Sequence, residues 1–330
     1  MRRCLDLALN GLGRVRPNPM VGCVIVRDGQ VLAEGFHRQY GGYHAERNAI
    51  LDAWNSCRRE RQDVSLSDIF QGATLYVNLE PCSHYGKTPP CADLIVESGI
   101  ARVVCCNDDP NPLVAGRGFE KLRQAGIEVV RHVLEDEGRW LNRRFFTFME
   151  QRRPYVILKW AESRDGFMAP DVGASNGLPA KATRQPSRPH SKKYWLSTPQ
   201  QTLLSHKWRT EEAAILVGSQ TYIDDHPQLT ARLFFGPQPQ PIVLDRRGRL
   251  SDVPEHWLHL CPQSLSELMD SLFERKIQSL IVEGGRRVLE AFLSEGLYDE
   301  VRIVRTPATL GMGLPSPKAP VDKVCFYEAD

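Results

Sequence analysis

One histidine and two cysteines, far apart in the chain, constrain its fold more than any other feature. His44, Cys82 and Cys91 supply three of the four ligands that a tetrahedral zinc ion takes. The fourth position would hold a water molecule, and Glu46 lies two residues after His44, near enough to move the proton of that water. We therefore expect the chain to bring these separate segments together at one zinc ion.

The spacing of these residues is close to a known pattern. His-x-Glu followed by Pro-Cys-x-x-Cys is the signature of zinc deaminases, in which water attacks an amino-bearing ring carbon. Pro81 precedes Cys82 here, but the second cysteine arrives only after Ser83-His84-Tyr85-Gly86-Lys87-Thr88-Pro89-Pro90. The alternative is a closed structural site with His84 as the fourth protein ligand. The catalytic interpretation is favoured because a closed site needs neither Glu46 nor the Pro-Cys context.

Composition narrows the class of protein. The 330 residues suffice for two domains, and 42% hydrophobic with 25% charged residues is ordinary globular composition. A net charge of +2 argues against nucleic acid as the main partner. No apolar run approaches the ~20 residues that cross a bilayer, and polar residues interrupt any N-terminal signal peptide. We expect a cytoplasmic enzyme.

The cysteines argue against a disulfide framework. Nine of them occur at irregular spacing without a secretory signal. Cys23, Cys105 and Cys106 lie in strand-like apolar runs, and we predict that they are core residues.

Alternating helical and strand patterns predict an α/β sheet in each half of the chain. In residues 1–150 the patterns predict helices at 1–14, 44–54, 92–98 and 119–124, and strands at 21–26, 31–36, 74–79, 102–106 and 128–132. A boundary at Arg152-Arg153-Pro154 separates a domain of residues 1–150 from one of residues 151–330. The second domain is predicted to contain strands at 155–160, 213–217, 241–244 and 280–282, a helix at 198–208, and a surface loop at 170–191.

Three sets of motifs in the first domain resemble the bifunctional deaminase/reductase family of riboflavin biosynthesis. They are Pro17-Asn18-Pro19-Met20-Val21-Gly22-Cys23; His44-Ala45-Glu46 with Leu79-Glu80-Pro81-Cys82 through Cys91; and Asp109-Pro110-Asn111-Pro112 with Val114-Ala115-Gly116-Arg117-Gly118. The resemblance implies a cytidine-deaminase-like α/β/α domain that uses Zn²⁺. Its substrate would be a diaminopyrimidine that carries a phosphoribosylamino arm.

The resemblance also implies the residues of the substrate pocket. Asn18, His37, Lys87 and Asn111 are expected to line it, with Lys87 meeting the phosphate as a point charge. Taken singly, each has a plainer explanation as a hairpin cap, a solvated loop charge or a turn former.

The second half resembles the reductase domain of the same family, which has a dihydrofolate-reductase-like α/β fold. The matching segments are Lys159-Trp160-Ala161-Glu162-Ser163-Arg164-Asp165-Gly166, residues 221–232, and Val282-Glu283-Gly284-Gly285. The resemblance implies reduction of the ribosyl arm to a ribityl chain, with NADPH as the hydride donor. Lys159 is expected to be catalytic. The expected substrate residues are Lys193, Arg209, Leu229, Arg232 and Glu283, and the expected cofactor residues are Glu162, Trp195, Thr221, Asp225, Arg246, Gly285, Arg286 and Arg287.

The residues by themselves support a cofactor site less strongly. Gly284-Gly285 between a strand and a helix lets the backbone approach a pyrophosphate at the helix N-terminus, although such turns are also common packing features. Arg246 follows a strand and can bind the extra phosphate of NADPH bidentately, but a solvated basic turn explains it equally well.

Some segments depart from the family pattern and keep other functions open. Arg164 stands where the family commonly has Leu, and Lys193 stands where it has Ser in a Ser-x-Trp motif. One alternative is a deaminase of another base whose second half is non-catalytic or altered. Another is a zinc-stabilised binding module whose second half senses NADPH or a flavin precursor. We expect a phosphorylated pyrimidine as the small-molecule partner, no nucleic acid or membrane partner, and assembly as a homo-oligomer.

Overall fold

The computed structural model describes residues 1–61, 63–85, 89–111, 115–170, 196–320 and 323–328. The chain divides into two compact units, Met1–Arg153 and Pro154–Asp330. Each unit has its own hydrophobic core.

Helices and strands alternate through the first unit. Its helices are α1 (Arg2–Leu9), α2 (Ala45–Glu60), α3 (Leu66–Phe70), α4 (Cys91–Glu97), α5 (Arg117–Gln124), α6 (Glu135–Leu141) and α7 (Arg143–Gln151). Its strands are β1 (Gly22–Arg27), β2 (Gln30–Phe36), β3 (Thr74–Leu79), β4 (Arg102–Asn107) and β5 (Glu128–Val130). The predicted strand at 74–79 has the observed bounds, whereas α6 and α7 have no counterpart among the predicted elements.

The strands of the first unit form one sheet in the order β2-β1-β3-β4-β5. β1 is antiparallel to both of its neighbours, and β3, β4 and β5 are parallel. The predicted core cysteines Cys23, Cys105 and Cys106 are fully buried. The first helix ends at Leu9 rather than at residue 14, and the Asn10 side chain donates a hydrogen bond to Leu7 O there.

A glycine sets how closely α2 lies on the sheet. A Cβ on Gly35 of β2 would lie 2.5 Å from Ala49 N and 2.6 Å from Ala45 O, both in α2. Contacts below about 3 Å are absent from real side chains, so only glycine allows this approach. The start of α2, with His44 and Glu46, is thereby held directly against the sheet.

The second unit is built around a larger sheet. Its helices are α8 (Pro199–Glu211), α9 (Ser219–Asp225), α10 (Leu265–Glu274) and α11 (Arg286–Ser294). Its strands are β6 (Tyr155–Glu162), β7 (Phe167–Pro170), β8 (Ala214–Gly218), β9 (Gln240–Leu244), β10 (Leu258–Leu260), β11 (Ser279–Val282), β12 (Glu300–Arg305), β13 (Gly313–Pro315) and β14 (Val324–Glu328).

Seven of the described strands form a sheet in the order β10-β9-β8-β11-β6-β12-β14, and all their pairings are parallel. Apolar clusters cover both faces, as a parallel sheet requires. Because the strands are parallel, the segments that follow β9, β8, β11 and β6 lie at the same edge of the sheet. Ligands bind at this edge in open α/β folds.

The helices that the structure describes include none that is both apolar enough and long enough to cross a membrane.

Candidate active sites

The first unit brings His44, Cys82 and Cys91 together. His44 Nδ1 lies 3.5 Å from Cys82 Sγ and 3.5 Å from Cys91 Sγ. With Zn–S bonds of about 2.3 Å and Zn–N bonds of about 2.0–2.1 Å, tetrahedral geometry separates an N and an S donor by about 3.5 Å. The three side chains therefore have the mutual spacing of zinc ligands.

Local structure explains how each ligand is held. His44 is the N-cap of α2, and Cys91 is the first residue of α4. Cys82 lies in the loop after β3, where its carbonyl accepts a hydrogen bond from Ala92 N and its sulfur accepts one from Cys91 N. These two hydrogen bonds join Cys82 to the start of α4. The sulfurs of Cys82 and Cys91 therefore lie side by side although eight residues separate the two cysteines in the sequence.

The thiol of Cys82 is suited to metal binding. Hydrogen bonds with Cys91 and His44 lower the pKa of Cys82 to about 4. The thiolate is the form of cysteine that binds metals. His84, the candidate fourth ligand of a closed site, is exposed and is not part of the cluster that the described His, Cys, Asp and Glu side chains form.

Glu46 is buried beside this cluster. Its side chain lies in the first turn of α2, and its Oε2 atom is buried without a hydrogen-bond partner among the described residues. Burial raises the pKa of Glu46 to about 7. A carboxyl group with such a pKa can both accept and release a proton near neutral pH.

Asn18 and His37 extend the site on one side. The His37 ring packs edge-on against the His44 ring, with centroids 5.4 Å apart. His37 Nδ1 lies 2.9 Å from Tyr43 O, to which it donates, so Nε2 accepts from Asn18 Nδ2 at 3.1 Å. The expected pocket residues His37 and Asn18 thus lie beside His44, one of the three candidate metal ligands. Lys87, the residue expected to meet phosphate, lies outside the described residues.

Two carboxylates near this site, Glu80 and Asp109, belong to the motifs that carry the family resemblance, but no role was predicted for either. Glu80 is buried, and it accepts hydrogen bonds from the backbone N–H groups of Asp109, Gly116, Gly118 and Phe119. Asp109 in turn accepts from Asn111 N at 2.8 Å, and burial together with the Glu80 charge raises the pKa of Asp109 to about 6. Glu80 therefore fixes the segment that carries Asn111. Its place directly before Pro81-Cys82 was the available signal.

The second unit brings Lys159, Arg209 and Glu283 together. Arg209 Nη2 and Nε donate to the Glu283 carboxylate at 2.7 and 3.3 Å, and Lys159 Nζ lies 4.0 Å from Glu283 Oε1. Each of these side chains is at most 14% exposed. Arg209 Nη1 also donates to Thr230 O, which anchors the segment that contains Leu229 and Arg232. Leu229 is buried there, and Arg232 is exposed.

Interactions between charged groups outweigh burial in setting the pKa of Glu283 in this cluster. Burial alone raises the pKa of Glu283, but the Arg209 and Lys159 charges outweigh it and lower that pKa to about 2. Burial lowers the pKa of Lys159, and Glu283 opposes this. His206, which the sequence analysis missed, is buried beside these groups, and burial with the Arg209 and Arg232 charges lowers its pKa to about 4.

Most of the expected cofactor residues lie at the carboxyl edge of the sheet. Thr221 and Asp225 are in α9 after β8, Arg246 follows β9, and Gly285, Arg286 and Arg287 begin α11 after β11. Gly285 has a φ of +47°, and a Cβ there would lie 3.1 Å from Thr221 Oγ1. A Cβ on Gly284 would collide with the Val217 backbone. The two glycines thus let the segment after β11 pack closely against β8 and α9, and the cofactor contacts of this segment stay a prediction.

Three other expected site residues are Glu162, Lys193 and Trp195, of which the structure describes only Glu162. Glu162 is buried, and its carboxylate accepts from Trp160 Nε1 at 3.0 Å and from Arg305 at 2.8 Å. These contacts join β6 to β12, so the structure gives Glu162 a structural role, and its cofactor contact stays a prediction. Lys193 and Trp195 lie outside the described residues, as does nearly all of the predicted 170–191 loop.

Family models match both halves of the chain. Residues 1–107 match the cytidine and deoxycytidylate deaminase zinc-binding region, and residues 154–319 match the RibD C-terminal domain. The riboflavin biosynthesis protein RibD of Aquifex aeolicus is 37% identical, over 95% of this chain and 88% of the relative. RibD of Escherichia coli is 35% identical, over 94% of this chain and 88% of the relative.

Solved structures agree along nearly the whole chain. A Thermotoga maritima diaminohydroxyphosphoribosylaminopyrimidine deaminase/5-amino-6-(5-phosphoribosylamino)uracil reductase has a TM-score of 0.80 and 39% identity, covering 96% of this chain and 88% of that one. Acinetobacter baumannii RibD has a TM-score of 0.79 and 35% identity, with the same coverage.

Proposed function

The chain belongs to the RibD family of riboflavin biosynthesis, and from this we propose its substrates and the residues that act on them. It is a bifunctional enzyme, with a deaminase domain followed by a dihydrofolate-reductase-like reductase domain, and the fold class predicted from the sequence is confirmed. The alternative of another deaminase with a non-catalytic second half does not hold, because both family domains are present.

The proposed first reaction is hydrolytic deamination of a diaminopyrimidine that carries a phosphoribosylamino arm. Water adds to the amino-bearing ring carbon, the C–N bond breaks, and ammonia leaves. The observation that carries this proposal is the convergence of His44, Cys82 and Cys91 beside Glu46, whose buried Oε2 has no hydrogen-bond partner in the described parts of the chain. Zinc, when bound by these three ligands, supplies a Lewis acid that ionises water near neutral pH.

Glu46 moves the proton in this reaction. Its carboxylate takes a proton from the attacking water and delivers it to the departing nitrogen, so that one group serves both steps. No other charged side chain is hydrogen-bonded to its Oε2 among the described residues, which leaves that oxygen available to the substrate.

The other pocket residues bind and orient the substrate. Asn18 would hydrogen bond to the pyrimidine, and His37 would line the pocket and orient Asn18. Asn111 would be held in place through Asp109 and Glu80, and Lys87 would meet the phosphate. Because His37 Nδ1 donates to Tyr43 O, Nε2 is the nitrogen that faces Asn18, and both are fixed before the substrate arrives.

The proposed second reaction reduces the ribosyl arm of the deaminated product to ribityl. The sugar ring opens to an imine or its equivalent, and one hydride and one proton are added across the resulting C=N bond. NADPH, when bound, supplies the hydride. Lys159 would lie beside the reacting sugar and favour the negative charge that develops on the imine nitrogen as hydride adds to the carbon, while Glu283 would orient Lys159 and contact the sugar.

The observed contacts indicate different roles for the two arginines of this site. Three nitrogens of Arg209 bond to Glu283 and Thr230 O, so Arg209 mainly positions Glu283. Arg232 is exposed near His206 and is the candidate for the substrate phosphate, and Leu229 and Lys193 are proposed to contact the same substrate. Thr221, Asp225, Gly285, Arg286 and Arg287 would hold the NADPH pyrophosphate, Arg246 its extra phosphate, and Glu162 and Trp195 its remaining parts.

A sequential assay tests both halves. The purified zinc-loaded protein should release ammonia from the diaminopyrimidine, and NADPH absorbance at 340 nm should fall only after deamination has begun. Ammonia release without any NADPH oxidation, even with the deaminated product supplied, would refute the second half of the proposal.

We also propose that the enzyme acts in the cytoplasm and assembles as a homo-oligomer. Light scattering of the purified chain measures its mass in solution and so tests the assembly.

A further inference from the structure

A second cluster of metal-ligating side chains lies in the second unit, away from Lys159 and Glu283. It contains Asp245, His259 and Cys261, whose ligand atoms all lie within 4.8 Å of one another. His259 Nε2 is 3.3 Å from Asp245 Oδ2 and 3.6 Å from Cys261 Sγ. Asp245 is fully buried, whereas Cys261 is exposed.

The sheet register brings these residues together. β10 is the edge strand and pairs in parallel with β9, with His259 opposite Val243 and Leu260 opposite Leu244. The pairing continues past both strand ends, because Asp245 N donates to Leu260 O at 2.9 Å. Side chains two residues apart point to the same face of a strand, so His259, Cys261 and Asp245 share one face.

The spacing of the donors fits a tetrahedral ion. Zn–N and Zn–O bonds of about 2.0–2.1 Å separate an N and an O donor by about 3.3 Å, and an N and an S donor by about 3.5 Å. The observed separations from His259 Nε2 are 3.3 and 3.6 Å. The cluster in the first unit has a corresponding N–S spacing of 3.5 Å.

The buried carboxylate gives a second indication of a ligand. Asp245 Oδ2 accepts from Leu250 N at 2.9 Å, whereas Oδ1 is buried without a hydrogen-bond partner among the described residues. A buried carboxylate with a hydrogen bond to only one of its oxygens is costly unless a cation offsets its charge, and a metal ion bound at Oδ2 would do so. The neighbouring cations are turned to other partners: Arg246 Nη2 donates to Gln263 O, and Arg249 donates to Ser219 and Gln220.

We propose that Asp245, His259 and Cys261 form a binding site for a divalent transition-metal ion of the zinc class. The ligand atoms are Asp245 Oδ2, His259 Nε2 and Cys261 Sγ, and a fourth position faces solvent. His259 binds in its Nδ1–H tautomer, and the Cys261 thiol releases its proton to solvent as the metal–sulfur bond forms. The ion links the edge strand β10 to the turn that follows β9.

Metal counting tests this site independently of either catalytic activity. The full chain, saturated with Zn²⁺ and separated from loosely held ion, should contain two ions, and Cys261→Ser should contain one. Cys325→Ser, which removes an exposed cysteine elsewhere in the second unit, is the matched control and should retain two. One ion in the wild-type chain, or two in Cys261→Ser, would overturn the proposal.

Cobalt binding identifies the ligand and guards against misfolded variants. In the Cys82→Ser/Cys91→Ser background, which removes both thiolates of the first site, Co²⁺ titration should still give a thiolate-to-cobalt absorption band. His259→Gln added to that background should raise the dissociation constant at least about tenfold. An unchanged denaturant midpoint would show that each variant folds. A folded protein with no such band, or with equal Co²⁺ affinity with and without His259, would also contradict the proposal.

Discussion

Two buried glutamates, one in each unit, have opposite surroundings. Glu46 is 3% exposed, its Oε2 has no partner among the described residues, and burial raises its pKa to about 7. Glu283 is similarly shielded, but Arg209 and Lys159 lie against its carboxylate and its pKa falls to about 2. The same side chain is therefore prepared to exchange a proton in one unit and to remain a fixed anion in the other.

The difference shows which feature of a site decides the role of a carboxylate. Burial alone destabilises the charged form, whereas burial with opposite charges stabilises it. In the deaminase unit no side chain is hydrogen-bonded to Glu46 Oε2 among the described residues, which fits the proposed role of Glu46 as the proton carrier. In the reductase unit the carboxylate instead holds two cations in place.

Glu46→Gln should produce the largest effect on catalysis. An amide cannot carry a proton between water and the leaving nitrogen, so ammonia release should fall by about 10²–10⁴-fold. Zinc content should stay unchanged, because His44, Cys82 and Cys91 remain, and reduction of supplied deaminated product should continue. Loss of zinc from this variant would instead assign Glu46 a structural role.

Glu283→Gln should produce the largest effect on stability. The change leaves the buried Arg209 and Lys159 charges without their partner, and breaking a buried ion pair costs about 3–5 kcal/mol. Denaturant unfolding measures this cost. Glu290→Gln, which removes a half-exposed pair with Arg286, is the control and should cost less than about 1 kcal/mol. Equal costs for the two variants would contradict the contrast between buried and exposed pairs.

Gly285→Ala should weaken NADPH binding by a smaller amount. The new Cβ would strain a residue at φ +47° and lie 3.1 Å from Thr221 Oγ1, and we expect a dissociation constant raised about tenfold, or about 1.4 kcal/mol. Fluorescence titration measures it. Gly296→Ala imposes similar strain at φ +65° with no atom within 4 Å of the Cβ, so it should leave NADPH affinity unchanged. Equal losses of affinity would show that strain alone is responsible.

His206 should give the smallest effect, on the pH dependence of stability. Its pKa is about 4 in the folded chain against an ordinary value of 6.5, so the unfolded chain binds more protons between these values. Stability should therefore fall as the pH is lowered through this window, with a slope below the one-proton limit of about 1.4 kcal/mol per pH unit. Comparing melting temperatures from pH 4 to pH 7 should show a shallower decline for His206→Gln. Parallel profiles would exclude His206 as the cause.

Much of the fold could be predicted from local patterns. Residues 74–79 form a strand because apolar and β-branched residues fill it, and the predicted helix at 44–54 exists but continues to Glu60. The α6 and α7 helices were missed although Phe145, Phe146 and Phe148 lie buried along α7. The apolar residues there follow a basic segment, and only their packing against the sheet and neighbouring helices makes the element evident.

The sequence by itself determined the kinds of chemistry that the protein carries, because ligand types, motif spacing and strand–helix alternation are local properties. Only the tertiary structure decided which groups keep their protons and which meet. Glu80 fixes a segment about 30 residues away, Arg209 and Lys159 reach Glu283 from separate elements, and strand pairing places Asp245 beside His259 and Cys261. Electrostatic interactions depend on distance in space, so neighbours that are remote in the chain set these properties.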